Sequence, residues 1–517
     1  MLDRLFGFTV HPFLQLLGMI ILSFGLPFNK VLMSIGTIWL ASNIILKADF
    51  KSYWKNWRSN ILAWFVLGIL ILHLIGLTYT NDFDYAFRDL NTKLPLFVIP
   101  LSIIAFPIRK EWLNYVLYFF LLSLCITTMI NLYTYWSNPQ ADFRSLSLFG
   151  SHIRYTILVV MGILVCIYFL IQKKKFGMLW LAPLLWFAFY VYQSQVFAGY
   201  VSIIMIILTA ILFGILNLNN KAVKNGLLIL TIFGLFGCIF MSVKFLEIDK
   251  QQIDFTELPE KTPRGNEYIH DTTFVWYENG NHVMSYISTD ELEQEWNKRS
   301  DIDYSGTDQN GHKIQSTLVR YMASKGLKKD KDGMQNMTRE DIENVEKGYT
   351  NYKQVSGSPL TRIENLKNDI FMYSLTGDPN GNSFIERIEH FSVGMLIVRD
   401  HPFLGVGTGD VQNIFNDYYK KTNTKLDRNK WNRAHNQFLT FWITFGVFGF
   451  ILFSGLWVFV GYQSVKLNSF FVLCFCLIAI GSFLSEDTIE TQQGVTFIAF
   501  FLAVSHILLQ YKRHNLK

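Results

Sequence analysis

Apolar runs long enough to cross a bilayer recur from one end of this sequence to the other, and that leaves few folds open to it. They fall at roughly 11–28, 31–46, 60–78, 94–107, 112–136, 154–172, 177–193, 196–217, 226–243, 438–462, 468–485 and 493–511. In lipid every backbone N–H and C=O must find its partner inside the protein, so runs of this length read as helices. The pattern predicts an all-α polytopic membrane protein with about twelve transmembrane helices. The fourth run is short and carries Pro95 and Pro100. The first, from Phe13 to Phe28, lacks a small-residue cleavage site and reads as a span, not a cleaved leader. Composition agrees: 51% of the 517 residues are hydrophobic and 17% are charged. The five cysteines all lie in apolar runs, so neither a disulfide nor a cysteine metal site is expected.

Loop charges set the orientation. Alternate short loops carry Lys47, Lys51, Lys55 and Arg58; Arg109 and Lys110; Lys173, Lys174 and Lys175; Lys221 and Lys224; and Lys466, while the tail adds Lys512, Arg513 and Lys517. The opposite loops hold Asp82, Asp84 and Asp89, and Glu486, Asp487 and Glu490, with Lys30, Arg88 and Lys93 as exceptions. The positive side is expected to be cytoplasmic, with both termini on it. The long polar segment 244–435 is then extracytoplasmic.

That segment reads as a small α+β insert before the tenth helix. Asn279-Gly280, between Phe274–Tyr277 and His282–Ile287, predicts a hairpin. Ser288 with Glu291, and Thr338 with Asp341, read as helix-start boxes. Helices are expected at 316–325 and 338–347, each closed by a glycine, Gly326 and Gly348. A surface helix follows from Ser383 to Arg399, with Phe384, Ile388, Phe391, Met395 and Val398 on one stripe. After it, Gly405-Val406-Gly407-Thr408-Gly409 predicts a tight turn. The expected division is a membrane bundle over 1–243, the insert over 244–382, the surface helix and glycine turn over 383–435, and C-terminal membrane helices over 436–517.

His435 stands where the polar segment gives way to a span. An imidazole there can exchange protons with water while facing a greasy substrate, although a lone histidine at such a boundary is commonly just a polar residue at headgroup level. Arg154, Arg387 and Arg433, with Arg88 and Lys93, put positive charge on the side that usually lacks it. Guanidinium forks suit phosphate oxygens; the other account of each is snorkelling or an ion pair with a nearby carboxylate. Gly407 and Gly409 could bring backbone amides to an anion, or simply end a helix. Gly446 and Gly449 read as close-packing positions; Glu486 and Glu490 could bind an acceptor but read better as a solvated loop. No Asp-x-Asp stands beside His435 or the glycine turn, and the histidines of the insert lack ligand spacing, so no metal and no cofactor is expected. Cytoplasmic loops are too short for a nucleotide domain, and nucleic acid is not an expected partner.

His435-Asn436, nine residues and then Gly446-Val447-Phe448-Gly449 resembles the signature of the bacterial O-antigen ligase and O-antigen polymerase superfamily. The block Asp400-His401-Pro402-Phe403-Leu404-Gly405-Val406-Gly407, preceded by a helix bearing Arg387, is similar to that family too. Where many members carry Ser-Arg-Gly at the start of a middle helix, this chain reads Ser194-Gln195-Val196-Phe197-Ala198-Gly199, without arginine.

The resemblance implies a membrane-embedded, metal-independent, inverting glycosyltransferase of the bacterial inner membrane. Its donor would be a glycan on undecaprenyl diphosphate. Its acceptor would be a hydroxyl of lipid A-core sugar (a ligase), of another glycan (a polymerase) or of a protein (an O-oligosaccharyltransferase), reached on the periplasmic face among membrane lipids. It casts His435 as the catalytic residue, Arg154, Arg387 and Arg433 as diphosphate ligands, and Asn436, Gly407 and Lys93 as support. From another class, a lipid or polysaccharide transporter would also use many spans, but few ionisable residues fall in mid-span and no repeated halves are evident. A sensor would need a cytoplasmic output domain, for which there is no room.

Overall fold

The computed structural model describes residues 10–138, 146–172, 177–246, 258–273, 276–355 and 359–515. Lys173–Lys175, Phe274, Val275 and Lys517, used in the sequence reading, lie outside them. Each of the twelve apolar runs is helical: Val10–Phe28, Lys30–Lys47, Ile61–Gly76, Phe83–Ala105, Lys110–Trp136, His152–Ile171, Leu181–Ser194, Phe197–Leu216, Lys221–Leu246, Gln437–Lys466, Phe470–Ser485 and Gln492–Asn515. Among the described residues seven of these are long and apolar enough to cross a membrane alone. The number is eight if Phe50–Arg58 and Ile61–Gly76, bent by 101° at their junction, are one span. The protein is thus an all-α, multi-pass membrane protein. Several expected spans are shorter than a bilayer is thick or are broken; Phe470–Ser485, for example, has 16 residues.

The chain forms two compact units. The first comprises 1–228, 390–424 and 431–517. Its core is a packing of large apolar side chains, among them Phe120, Tyr155, Phe187, Phe441, Phe453 and Trp457, all fully buried. Lipid tails are as apolar as these side chains, so close fit holds such helices together. At Gly18 and Gly36 an added Cβ would come within 2.7 Å of Leu40 and 2.6 Å of Leu22, so the first two helices touch backbone to side chain.

Gly446 marks a break in the helix Gln437–Lys466, with φ 64° and ψ −160°. The break strands backbone groups, and the glycine turn takes them up. Val406 N–H donates to Ile443 O at 2.9 Å, Gly407 N–H donates to Thr444 O at 3.0 Å, and Val447 N–H donates to Pro402 O at 2.9 Å. The contact is so close that a Cβ on Gly446 would sit 1.9 Å from Phe403 O. The expected close packing of Gly446 is there, against a loop at a helix break. The amide of Gly407 is used in it.

The second unit, 229–389 with 425–430, has its own core. Leu292, Trp296, Leu318, Met322, Ile342 and Val345 pack between the helices Thr289–Asn297, Ile314–Ser324 and Arg339–Glu346. Among the described residues its paired strands are Tyr277–Glu278 and Asn281–His282, two residues each and antiparallel, beside a few isolated bridges such as Ile269 with Ile287. The hairpin turns where Asn279-Gly280 predicts, with φ of 48° and 85° at the two turn residues. Both being positive gives the turn its mirror-image form. Thr338 and Asp341 make the reciprocal capping box. Ser288 makes no capping bond. Its expected partner, Glu291, instead accepts hydrogen bonds from Thr262, Asn266 and the Lys331 backbone. The surface helix runs Ser383–Asp400, with Phe384, Ile388, Phe391 and Met395 exposed and Val398 buried.

Candidate active site

His435 occupies the residue before the cap of the helix Gln437–Lys466, and its backbone is in the left-handed region, φ 48°. Non-glycine residues adopt that conformation uncommonly, histidine less reluctantly than most, and here a carboxylate holds it. The carboxylate of Asp487 accepts the His435 N–H at 3.1 Å and the Thr440 hydroxyl at 2.6 Å. It thereby ties the residue before the helix to the helix's first turn. Asn436, expected to steady the imidazole, does something else. Its side-chain oxygen caps the helix by accepting from Leu439 N–H at 3.0 Å.

Asp487 belongs to the short connection between Phe470–Ser485 and Gln492–Asn515, which the sequence reads as a solvated loop. The structure buries it. Glu486 and Asp487 are each 7% exposed, and the Glu490 side chain is 4% exposed. Glu490 accepts from Lys93 Nζ at 3.0 Å, Arg433 Nη1 at 3.0 Å and Gln437 Nε2 at 3.0 Å. Lys93 also donates to both oxygens of Asp89, at 2.5 and 2.7 Å. Arg433 further lies over the Tyr85 ring, 5.6 Å from its centroid.

Lys93 and Arg433 are therefore already paired with carboxylates, which is the second of the two accounts the sequence leaves open. Burial opposes the charged form of Glu490, yet the Lys93 ammonium and the Arg433 guanidinium together hold its carboxyl well below the usual range. Burial also pushes Asp487 up, with Arg433 working against it.

Arg154, in the first turn of His152–Ile171, sits differently. Its Nη2 is 3.6 Å from Glu486 Oε2, beyond hydrogen-bond length, and its buried Nε has no hydrogen-bond partner. The same Glu486 oxygen is 3.8 Å from His435 Nδ1, which is likewise buried and without a partner. One carboxylate oxygen thus stands between the imidazole and the guanidinium. On another side the His390 ring lies 5.3 Å from the His435 ring, and His390 Nδ1 is fixed by the Tyr419 hydroxyl at 2.7 Å.

The structure brings together His435, Arg154, Arg433 and Lys93 from three separated stretches. Gly407 is at the helix break. Arg387 belongs to the second unit. Sequence reasoning gave no site role to Asp89, Asp487, His390 and Tyr419, and read Glu486 and Glu490 as a solvated loop in preference to an acceptor site. One signal was available: carboxylates grouped in a short loop on the same side as the unexplained cations. Among the described residues, no three His, Cys, Asp or Glu side chains are grouped to hold a metal ion.

In chemical terms, the site offers an imidazole on a fixed backbone, a guanidinium with an unsatisfied buried donor, and a salt-bridge frame beside them. Residues 332–454 match the family model described as O-antigen ligase. No curated protein matches the chain. The matched stretch contains Arg387, Gly407, Arg433, His435, Asn436 and Gly446, whereas Lys93, Arg154 and the carboxylates of 486–490 fall outside it.

Proposed function

We propose that the chain is a multi-pass inner-membrane glycosyltransferase, a reading supported by the match of residues 332–454 to the family model described as O-antigen ligase. It moves a glycan from undecaprenyl diphosphate to an acceptor hydroxyl on the periplasmic face, with lipid A-core sugar as the first acceptor to test. The observation that carries this reading is His435, locked in a left-handed backbone by Asp487, with Arg154 across the shared Glu486 oxygen.

The acceptor oxygen attacks the anomeric carbon while the bond from that carbon to the diphosphate oxygen breaks. The bonding pair leaves with the diphosphate, and the acceptor proton passes to His435. Direct attack inverts the anomeric centre. A positioned base of this kind contributes about 10²–10⁴-fold. Arg154 faces the growing negative charge of the leaving group, where preorganised donors act most strongly. Lys93 and Arg433 stay with Glu490 as the frame. The assignment of Arg387 to the donor rests on the resemblance in sequence.

The test is transfer in vitro: purified protein in lipid nanodiscs, a lipid-linked oligosaccharide, and lipid A-core, glycan and peptide acceptors in parallel, with chelator present. A covalent product with the wild type and none with His435→Ala is expected. Full transfer by His435→Ala overturns the reading, as does glycolipid movement across vesicles without any covalent product. The acceptor that is consumed separates ligase, polymerase and protein glycosylation.

A further inference from the structure

We propose that Glu486 is a positioning residue for His435. It draws the Nδ1–H of the imidazole toward its carboxylate and leaves Nε2 as the atom that takes the acceptor proton. This rests on the functional reading above and adds to it a tautomer and a positioning role for Glu486.

Three observations converge on it. His435 Nδ1 is buried, has no hydrogen-bond partner, and lies 3.8 Å from Glu486 Oε2. A buried polar atom without a partner is costly, so a small closure of that gap is favourable, and catalytic hydrogen bonds are commonly long before substrate arrives. Next, Glu486 and Asp487 are consecutive and act on the same residue. Asp487 holds the His435 backbone N–H, while Glu486 faces its ring. Lastly, the ring has a wall: the buried His390, set by Tyr419, packs against it at 5.3 Å and 42°.

The charges around the ring give the arrangement its chemistry. Four carboxylates, Asp89, Glu486, Asp487 and Glu490, face three fixed cations, Lys93, Arg154 and Arg433. Uptake of the acceptor proton turns the imidazole into a cation and brings this enclosed set to balance. Glu486 is the carboxylate nearest that new charge. It stays ionised, holding the Nδ1 proton by a hydrogen bond, and the transferred proton remains on Nε2 until it leaves to water or to the departing diphosphate. Arg154 shares the same Glu486 oxygen, so donor binding that pulls Arg154 toward phosphate frees that oxygen for His435.

The experiment combines two readings on the full-length protein in nanodiscs. With ¹⁵N-histidine labelling, the wild type is expected to show His435 as the Nδ1–H tautomer, assigned by loss of its signals in His435→Ala. Glu486→Gln is expected to scramble that tautomer and to lower kcat by about 10²-fold, leaving KM for the lipid-linked donor within a factor of about three. Glu486→Asp should recover part of the rate. A wild-type Nε2–H tautomer overturns the proposal without recourse to any variant. So does Glu486→Gln with wild-type kcat, or with a loss confined to donor KM, which would make Glu486 a partner of Arg154 alone. If His435→Ala itself transfers at the full rate, the functional reading falls instead.

Discussion

The two units differ in how much of their structure rests on local devices. In the insert, Thr338 and Asp341 cap one helix and Asn279-Gly280 closes one hairpin, beside ion pairs of longer reach such as Arg320 with the buried Glu278, 42 positions apart. In the bundle, the groups that fix the site are far apart. Lys93 reaches Glu490 across 397 positions, Arg433 reaches it across 57, and the His435 backbone reaches Asp487 across 52. Local devices work in water because each gives a few tenths to one kcal/mol and needs no burial. Distant ion pairs are retained in a buried site because a charge there without its partner is far more costly. The difference separates parts of the molecule that should tolerate change from the part that should not.

The hardest test of that contrast is Glu490→Gln. It leaves Arg433 without its carboxylate and Lys93 with Asp89 alone, at a side chain only 4% exposed. Breaking one partner of a buried pair costs about 3–5 kcal/mol, so thermal inactivation in nanodiscs should move to markedly lower temperature. The companion variant Glu490→Gln with Arg433→Met removes the orphaned cation and should recover part of the loss. If Glu490→Gln costs no more than an exposed ion pair, below about 1 kcal/mol, the frame is not what holds the site.

This contrast also explains what could be read from the sequence. Each apolar run proved helical among the described residues, because helix length and apolarity are properties of a single stretch, although only seven or eight are long and apolar enough to cross a membrane. The hairpin, the Thr338 box and the glycines after two helices were readable for the same reason. Ser288 was misread because Glu291, three residues on, is claimed by Thr262 and Asn266 from an earlier segment. The break at Gly446 was invisible because its cause is a loop some forty residues upstream, whose Val406 and Gly407 amides replace the missing helix bonds. His435, Arg154 and Arg387 stood out by residue type and place. Glu486, Asp487 and Glu490 did not, since carboxylates in a short connection look solvated until the helices that bury them are assembled.

A smaller effect is expected in the insert, where one charge is buried without a carboxylate. Lys329 is 3% exposed and its Nζ donates only to backbone oxygens, of His282 at 2.8 Å and Ser285 at 3.1 Å, among the bonds described. Burial pushes its pKa down to about 7. Between that value and the ordinary 10.5 the unfolded chain carries a proton the folded chain has lost. The insert therefore gains stability as pH rises through this window and has the full penalty below it. Protection factors for the helix Ile314–Ser324, corrected for intrinsic exchange, should rise between pH 7 and pH 9.5 by an amount corresponding to roughly 2–4 kcal/mol. In Lys329→Met that rise should vanish. An unchanged rise in Lys329→Met would assign it to another group.

The smallest effect is the most local. Thr338→Ala removes the hydroxyl's half of the capping box, in which the hydroxyl accepts from Asp341 N–H and donates to the Asp341 carboxylate, and leaves the bond from the 338 backbone N–H to that carboxylate. Such a cap is worth about 1 kcal/mol. Amides of Arg339–Glu346 should exchange about five- to tenfold faster at neutral pH, because a lost cap frays the first turn without opening the core around Ile342 and Val345. Thr338→Ser should restore protection, because it keeps the oxygen. If Thr338→Ala instead released the whole core as one body, the cap would be coupled to distant packing. The insert would then be held together in the same long-range way as the bundle.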